Sequence, residues 1–170
     1  MAWVAYRTWV AGETVTAAQM NQDVRDNGNI IAAVGITGWT AYTPTWGSSG
    51  TQPVLGNGTA AGEYCQFGKF FSAAFSVVAG STSTFGTGNY SFVLPVTTGT
   101  TFKGFGIGAC VDASDSNKEY GLFLQASVNT TTCQAFLVHA TGIGNLTPTN
   151  PVTFVSPDTL FRGTVWGEVA

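Results

Sequence analysis

Residues 39–95 read WTAYTPTWGSSGTQPVLGNGTAAGEYCQFGKFFSAAFSVVAGSTSTFGTGNYSFVLP. Short runs of aromatic and β-branched residues alternate here with clusters of Gly, Ser, Thr, Asn and Pro, a pattern typical of strands and turns. Between Tyr64 and Val78 most alternate side chains are apolar, which predicts one long strand with a buried face. Gly68 and Lys69 interrupt the series, so we expect a bulge or bend at that point.

A second strand is predicted from Tyr90 to Leu94, where Tyr90, Phe92 and Leu94 share a face and Pro95 ends the run. A loop rich in Gly, Ser and Thr joins it to the first strand. The two strands should therefore form a hairpin-like block on which later strands stack.

The strand pattern continues beyond Pro95. From Lys103 to Val111 apolar residues alternate mainly with glycines, which predicts one packed face and one nearly bare face that another surface can approach. A hairpin turn is predicted at Asn129–Thr132 and a loop at Thr141–Pro151. The remaining predicted strands are Tyr120–Val128, Cys133–Ala140, Val152–Val155 and Leu160–Val169.

About eight strands at short regular spacings, with no helices alternating between them, are typical of all-β proteins. The pattern predicts an antiparallel β-sandwich of jelly-roll-like kind, preceded by an N-terminal extended segment and one helix.

The predicted helix begins at Thr16, an N-cap with Gln19 three residues further on, and Gly35 is placed to end it. A seam of residues spaced three and four apart runs along it: Ala17, Met20, Val24, Asn27, Ile31 and Val34. The seam can pack on the sheet of its own chain or join copies in a short coiled coil, in which Asn27 fixes the register. The second alternative, or docking on a partner, is favoured, because a polar seam residue is better accommodated between chains than in a monomer core.

An aromatic cluster that includes Trp3 and Trp9 precedes the helix. Terminal segments are usually polar and frayed, so an aromatic one is expected to dock on something. We therefore divide the chain into an attachment and oligomerisation segment, residues 1–35, and a β-sandwich domain, residues 36–170.

Charged residues make up 9% of the chain, against roughly 25% in ordinary soluble domains. Such a surface has little charge to repel its neighbours, which favours a protein covered in an assembly or one that acts outside the cell. The net charge of −3 and the lack of a Lys/Arg run argue against a nucleic-acid partner.

Neither a signal-peptide pattern at the N-terminus nor an apolar window long enough to cross a bilayer is found, so we expect neither export by a signal peptide nor a membrane protein. The three cysteines, Cys65, Cys110 and Cys133, each fall in a predicted strand. They are expected to be small buried hydrophobic residues, with a disulfide between two of them as the alternative.

Candidates for catalysis are few. The one histidine, His139, lies in a predicted strand and is expected to be a core or interface residue. We find no nucleophile motif, phosphate loop or His/Cys pair at metal-ligand spacing, and so expect no enzyme activity, no metal and no cofactor. Trp39 and Trp46, which lie near predicted loops, are candidates for a sugar-binding platform, with core packing as the alternative.

Two stretches resemble a known class of protein. The N-terminal stretch from Arg7 to Asn21, with Val24–Asn27, is similar to the opening of many bacteriophage virion proteins: a tryptophan, Gly-Glu, a Val-Thr-Ala helix start and Met-Asn. The β-module that follows in those proteins is matched by Tyr42–Trp46, Gly56–Thr59, Gly62–Tyr64, Gly68–Lys69 and Phe85–Gly88. Its closing strand is matched by Val152–Phe154, Asp158–Leu160 and Gly163–Thr164, although the usual final Gly-Thr-Tyr-Glu is replaced by Gly163-Thr164-Val165-Trp166.

The resemblance implies a non-enzymatic virion part of the minor tail, tail-fibre or head-decoration kind, made in the host cytoplasm and assembled with other virion proteins. We expect a homo-oligomer, with a trimer favoured because bundling around a threefold axis would cover strand edges and the helix seam. The alternative function is a carbohydrate-binding module of a receptor-binding protein, in which loop aromatics contact host-surface glycan.

Overall fold

The computed structural model describes residues 8, 10–30, 38–112, 118–139, 142–157 and 159–170. A helical stretch near the N-terminus precedes ten strands: β1 (Thr40–Tyr42), β2 (Trp46–Ser48), β3 (Thr59–Phe67), β4 (Phe70–Val78), β5 (Tyr90–Val93), β6 (Gly104–Asp112), β7 (Lys118–Ala126), β8 (Thr132–His139), β9 (Gly142–Asn145) and β10 (Leu160–Glu168).

All ten strands belong to one antiparallel sheet with the order β1-β3-β4-β10-β6-β7-β8-β5-β2, and β9 pairs with β8. The sheet curls into a half-barrel, so that strands far apart in this order face each other across the core. Phe75 of β4 and Phe92 of β5 meet there, with ring centroids 4.6 Å apart. The predicted all-β, sandwich-like fold is confirmed, and its two facing walls come from a single curled sheet.

Two strands, β3 and β4, take the place of the one long strand predicted over Tyr64–Val78. Gly68 and Lys69 form a two-residue turn between β3 and β4, and Phe67 pairs with Phe70 across it. Gly68 has φ of +58°, a conformation that glycine adopts without steric cost and that two-residue hairpin turns require. The interruption is therefore a hairpin turn, and the predicted bulge or bend within a strand is wrong.

The predicted hairpin-like pairing of the Tyr64–Val78 strand with the Tyr90–Leu94 strand is also wrong. β5 pairs with β8 and β2, whereas β4 pairs with β3 and β10. The loop between β4 and β5 crosses from one wall of the curled sheet to the other. The two strands contact each other through their side chains, not through backbone hydrogen bonds of a shared ladder.

The later strand predictions are mostly confirmed, because β6, β7, β8 and β10 lie within two residues of their predicted bounds, and Asn129 lies in the turn between β7 and β8. The predicted strand Val152–Val155 is wrong, since these residues have irregular backbone. Phe154 from this segment is nevertheless buried in the core. The predicted loop over Thr141–Pro151 contains the short strand β9.

The two faces of β6 are reversed relative to the prediction. Gly104 and Gly106 point into the core, whereas Phe105 and Ile107 point outward and are exposed. A Cβ on Gly106 would lie 2.2 Å from the backbone oxygen of Thr164 on β10, so the inner side of β6 has no room for a side chain at this position. The apolar residues of this strand are therefore placed on the outer face of the sheet.

The helical stretch is α-helical over Ala17–Met20, π-helical over Asn21–Asp26 and α-helical again over residues 27–30. The predicted capping box is confirmed: the Thr16 side chain accepts a hydrogen bond from the backbone of Gln19, and the Gln19 side chain accepts one from the backbone of Thr16. The predicted end at Gly35 lies outside the described residues.

The core lies inside the curled sheet and is dominated by aromatic rings. Phe161 of β10 is at its centre, with ring contacts to Trp46, Tyr90, Phe92 and Phe154 at centroid distances of 5.2 to 6.1 Å. These rings come from β2, β5, β10 and the irregular segment before β10. The core therefore joins both walls of the sheet and leaves the outer face for other contacts.

Candidate functional site

The two tryptophans proposed for ligand binding have different environments. Trp46 is only 6% exposed, and its ring packs against Phe85, Tyr90 and Phe161. The ligand-binding prediction for Trp46 is therefore wrong, and its alternative, core packing, is what the structure has, because the ring is buried among other core rings. Trp39, directly before β1, is 53% exposed and can contact a ligand.

The residues predicted for attachment and oligomerisation are only partly described. Trp3, Trp9, Ile31 and Val34 lie outside the described residues. Met20 and Val24 are exposed, but Asn27 is fully buried within its own chain. The predicted role of Asn27 in setting the register between chains is therefore wrong, because its side chain is not accessible to another chain.

The π-helical turn explains why the predicted seam is not one face. A π-helix has hydrogen bonds between residues i and i+5, so each residue turns through a smaller angle about the helix axis than in an α-helix. The spacing of the predicted seam assumes an α-helix. As a result Asp23 and Asn27 form the buried side, while Met20 and Val24 point away from it. The Oδ2 atom of Asp23 is buried without a hydrogen bond to another described residue.

A wide groove lies on the outer face of the sheet and extends from β1 to β6. Its volume is about 1040 Å³. The floor is made of small residues of four neighbouring strands: Ala61, Ala74, Ser76, Ala109, Gly163 and Thr164. Glu63, Ile107 and Arg162 stand at its sides. We call this surface the outer groove.

Next to the outer groove the same face carries large apolar side chains on β6 to β9. We call this surface the outer ridge and define it as Phe105, Phe123, Phe136, Val138 and Ile143. Phe105 and Phe123 have ring centroids 6.0 Å apart, and Phe123 and Phe136 have centroids 6.4 Å apart. Val138 pairs with Ile143, and these two are 63% and 64% exposed.

The strand register shows that the groove and ridge are continuous. One row of outward residues crosses six strands in sequence: Glu63, Ala74, Thr164, Ile107, Phe123 and Phe136. Along this row the side chains are small from β4 to β10 and large from β6 to β8. The outer face therefore has a low half and a raised half in direct contact.

Few charges border these two surfaces. Arg162 forms an ion pair with Glu119, and both side chains are about half exposed. Glu63 at the groove and Lys103 at the start of the ridge strand are exposed, and neither side chain has a hydrogen bond or ion pair to another described residue. The carboxylate of Glu63 and the ammonium group of Lys103 are thus available for contacts with another molecule.

The nucleophilic and acidic groups of the core are held in their neutral forms. Burial raises the pKa of the Cys110 thiol and of the Cys133 thiol to about 12. Burial, with a smaller contribution from Cys133, also raises the pKa of Tyr42 above its usual value. All three cysteines are free thiols, and Cys65 is only partly buried. Neutral thiols of this kind are poor nucleophiles and poor metal ligands.

The described residues give no evidence for a metal site, a catalytic histidine or a membrane span. No cluster of three or more His, Cys, Asp and Glu side chains suited to a metal ion occurs among the described residues. His139 ends β8, but its side chain is outside the described part of the chain. Within residues 8–30, no helical stretch has the length and apolar character of a membrane span.

Sequence reasoning identified Phe105 and Ile107 as an apolar alternating set but assigned them to the core. The signal that could have placed them outside was the glycine at every second position, because a strand that curls tightly against a neighbour leaves room only for glycine on its inner side. Ala61, Ala74 and Ser76 gave no comparable signal, since small residues occur on either face of a strand.

In comparisons with protein-family models, with curated proteins and with solved structures, nothing matches this chain.

Proposed function

We propose that the chain is a non-enzymatic structural protein of a bacteriophage virion, of the tail-fibre, minor tail or capsid-decoration kind. Residues 1–35 attach to the particle and help the chain to oligomerise, and the β-domain of residues 36–170 projects outward. The observation that carries this proposal is the outer ridge, an exposed set of adjoining apolar side chains on a protein with few charges.

The ridge favours assembly because exposed apolar area is removed from water when proteins associate. Fully burying a Val, Leu, Ile or Phe side chain contributes roughly 1.5–3 kcal/mol, and every ridge residue is exposed or half-buried. Large adjoining apolar patches on soluble proteins are typical of interaction sites. A partner surface that covers the ridge is therefore strongly favoured.

The N-terminal region supports the same function. Its described apolar side chains are largely exposed: Val10, Val15, Met20 and Val24. Among the described residues, those buried in the hydrophobic core all lie between Trp46 and Val165, so the described N-terminal residues add apolar surface without contributing to that core. Such a segment is suited to contact another protein of the particle.

The proposal includes a homotrimer, assembled in the host cytoplasm and bound to other virion proteins. Particles made of repeated subunits use closed symmetric oligomers, whose contacts repeat without leaving unpaired apolar surfaces. Exposed strand edges such as β1 and β2 are also covered by neighbours in such an assembly.

The direct test is incorporation into particles. A tagged copy expressed during infection should co-sediment with the virions of the phage that encodes it and should remain with them after washing in moderate salt. A tagged Val138→Glu variant, which adds a charge to the ridge, should co-sediment less, and a tagged Phe102→Glu variant controls for nonspecific effects of the added charge, because Phe102 is exposed outside the ridge. A tag that stays in the free-protein fraction would contradict the proposal.

The role of the N-terminal segment is tested by the solution mass of the intact chain and of a version that lacks residues 1–35, measured by light scattering. We expect the intact chain to be trimeric and the shortened chain to be a folded monomer or a weaker oligomer. If both are monomers, the self-association in this proposal is wrong.

A glycan-binding module is the second candidate, favoured by the exposed ring of Trp39. This residue lies two positions before Ala41, which lines the outer groove, so a sugar stacked on it would reach a groove bordered by Glu63 and Arg162. Titration with cell-wall oligosaccharides should then quench tryptophan fluorescence, and Trp39→Ala should abolish the effect. A Phe102→Ala control should bind like the unmodified chain.

A further inference from the structure

We infer that the outer groove is filled by the outer ridge of a second copy of this chain, so that copies join head to tail in a closed ring. The inference deepens the proposed function, because it rests on the homo-oligomer and identifies the surfaces that form it. It places the main contact on the β-domain, in addition to any contact made by residues 1–35.

The shapes of the two surfaces are complementary. The groove floor is made of Ala, Ser, Thr and Gly residues, whereas the ridge carries three phenylalanines and two β-branched residues. A small-residue floor lets large side chains of a facing surface approach the backbone closely and pack without voids. Both surfaces are largely apolar and both are open to solvent in the single chain.

The curvature of the sheet decides between a twofold dimer and a ring. Phe75 on β4 meets Phe92 on β5 across the core, so the outward direction turns by about half a circle over the five strand steps between them. The groove is centred near β4 and the ridge near β7, three steps apart, so they face directions that differ by roughly 100°. One neighbour cannot cover both surfaces, whereas a ring gives each copy one neighbour at the groove and another at the ridge.

The floor of the groove supplies part of the area of a stable contact. Strands lie about 4.8 Å apart and outward residues on one strand about 6.7 Å apart. With two outward lining residues on most of the four groove strands, the flat footprint is roughly 19 Å by 13 Å, or about 250 Å². Side-chain relief and the flanking loops increase the accessible area toward the roughly 800 Å² per partner of standard interfaces.

The charges at the borders are also complementary. The groove has Glu63 at its side and the ridge strand begins after Lys103, and neither charge has a partner among the described residues. When the ridge of one copy enters the groove of the next, the carboxylate and the ammonium group meet at the rim of the contact. Rim charges of opposite sign set the register of an interface.

Chemical cross-linking tests the contact directly in the full chain. The variant carries Ala61→Cys in the groove, Val138→Cys on the ridge and Cys65→Ser to remove the native thiol nearest the groove, and it is treated with a short bis-maleimide. We expect cross-linked species that extend to a closed ring of at least three chains. The matched control replaces Val138→Cys by Phe102→Cys, which is equally exposed but outside the ridge, and it should give little product.

Two results would overturn the ring. Cross-linking no greater than in the Phe102→Cys control shows that the ridge and groove do not meet, and products that stop at two chains show a twofold contact. The cysteine changes are small and lie on exposed positions, so circular dichroism should confirm an unchanged fold. Neither result affects the co-sedimentation test, so a failed ring and a failed virion assignment are distinguishable.

Charge reversal tests the register. Glu63→Lys and Lys103→Glu should each lower the cross-linking rate roughly twofold to fivefold, as expected for a partly exposed ion pair. The double variant should restore the rate, because the opposite charges again face each other. A double variant as slow as the product of the two single effects would show that these residues do not meet.

Discussion

Phe161 joins β10 to the opposite wall of the core. It is fully buried, and its ring touches four other aromatic rings, which come from β2, β5 and the irregular segment before β10. Phe161→Ala should lower the free energy of unfolding by about 3–5 kcal/mol, because it removes apolar contacts and leaves a cavity. Denaturant unfolding measures this loss. Phe102→Ala, at an exposed phenylalanine, should change stability by less than about 0.5 kcal/mol, and equal losses would contradict the described core.

The buried thiols predict a loss of stability in alkali. The folded chain raises the pKa of Cys110 and Cys133 from 9.0 to about 12, so between these values the unfolded chain loses protons that the folded chain keeps. Stability should be constant below pH 9 and fall as the pH rises from 9 to 12, by up to about 1.4 kcal/mol per pH unit for each thiol.

Urea midpoints at pH 7, 9, 10 and 11 measure this fall. Cys110→Ala with Cys133→Ala should make the profile shallower, whereas Cys65→Ala should leave it steep. Burial also raises the pKa values of Tyr42 and Tyr90, so the stability of the double cysteine variant should still fall somewhat above pH 10. A flat profile to pH 11 would contradict the burial of these groups.

At the scale of single elements, β6 depends on close contact with β10. Gly106→Ala should destabilise the protein by about 1–3 kcal/mol, because the new methyl group would meet the backbone of Thr164 and neither strand can move without disturbing its register. Gly121→Ala on β7 is the matched control, since a Cβ there has nothing within 4 Å. Thermal unfolding compares the two, and similar midpoints would show that β6 and β10 lie further apart.

The elements also show what the sequence could predict. Strand periodicity located β6, β7, β8 and β10, because alternation of apolar residues is a local property. Periodicity could not show which face of β6 points into the core. The inner space next to β6 is already occupied by side chains of other strands, such as Leu124 and Phe75, which lie near Gly163 of the adjacent strand β10. The periodicity also concealed the turn at Gly68–Lys69. Cys65 and Phe71 belong to one alternating apolar series in the sequence, but they lie on two different strands, where Cys65 faces outward and Phe71 faces inward.

The candidate site was predicted least well, for a related reason. Trp46 lies near loops in the sequence, yet its ring packs against Phe161, more than a hundred residues later. The groove and ridge are formed by strands that become neighbours only through the order of the sheet. Local patterns carry little information about such distant contacts, whereas the capping box at Thr16 and Gln19, made of residues three apart, was predicted correctly.

For the whole molecule, the two ends of the chain differ in their contribution to the fold. A chain without residues 158–170 lacks β10, whose nine pairs with β4 and seven with β6 join the two parts of the sheet. We expect it to lose near-ultraviolet circular dichroism and cooperative unfolding. The chain without residues 1–35 keeps every core residue that the structure describes as buried and should retain both properties. A cooperative transition in the first variant would contradict the central position of β10.

The central place of β10 also has a consequence for protein synthesis. β3 and β4 leave the ribosome about a hundred residues before the strand that joins them to β6, and translation at roughly 5–20 residues per second makes this interval several seconds or longer. During that time the nascent chain carries two unjoined half-sheets with open inner edges. Folding of the β-domain is therefore completed only after β10 has been synthesised, and each copy becomes competent to meet its neighbours only after this strand has been inserted.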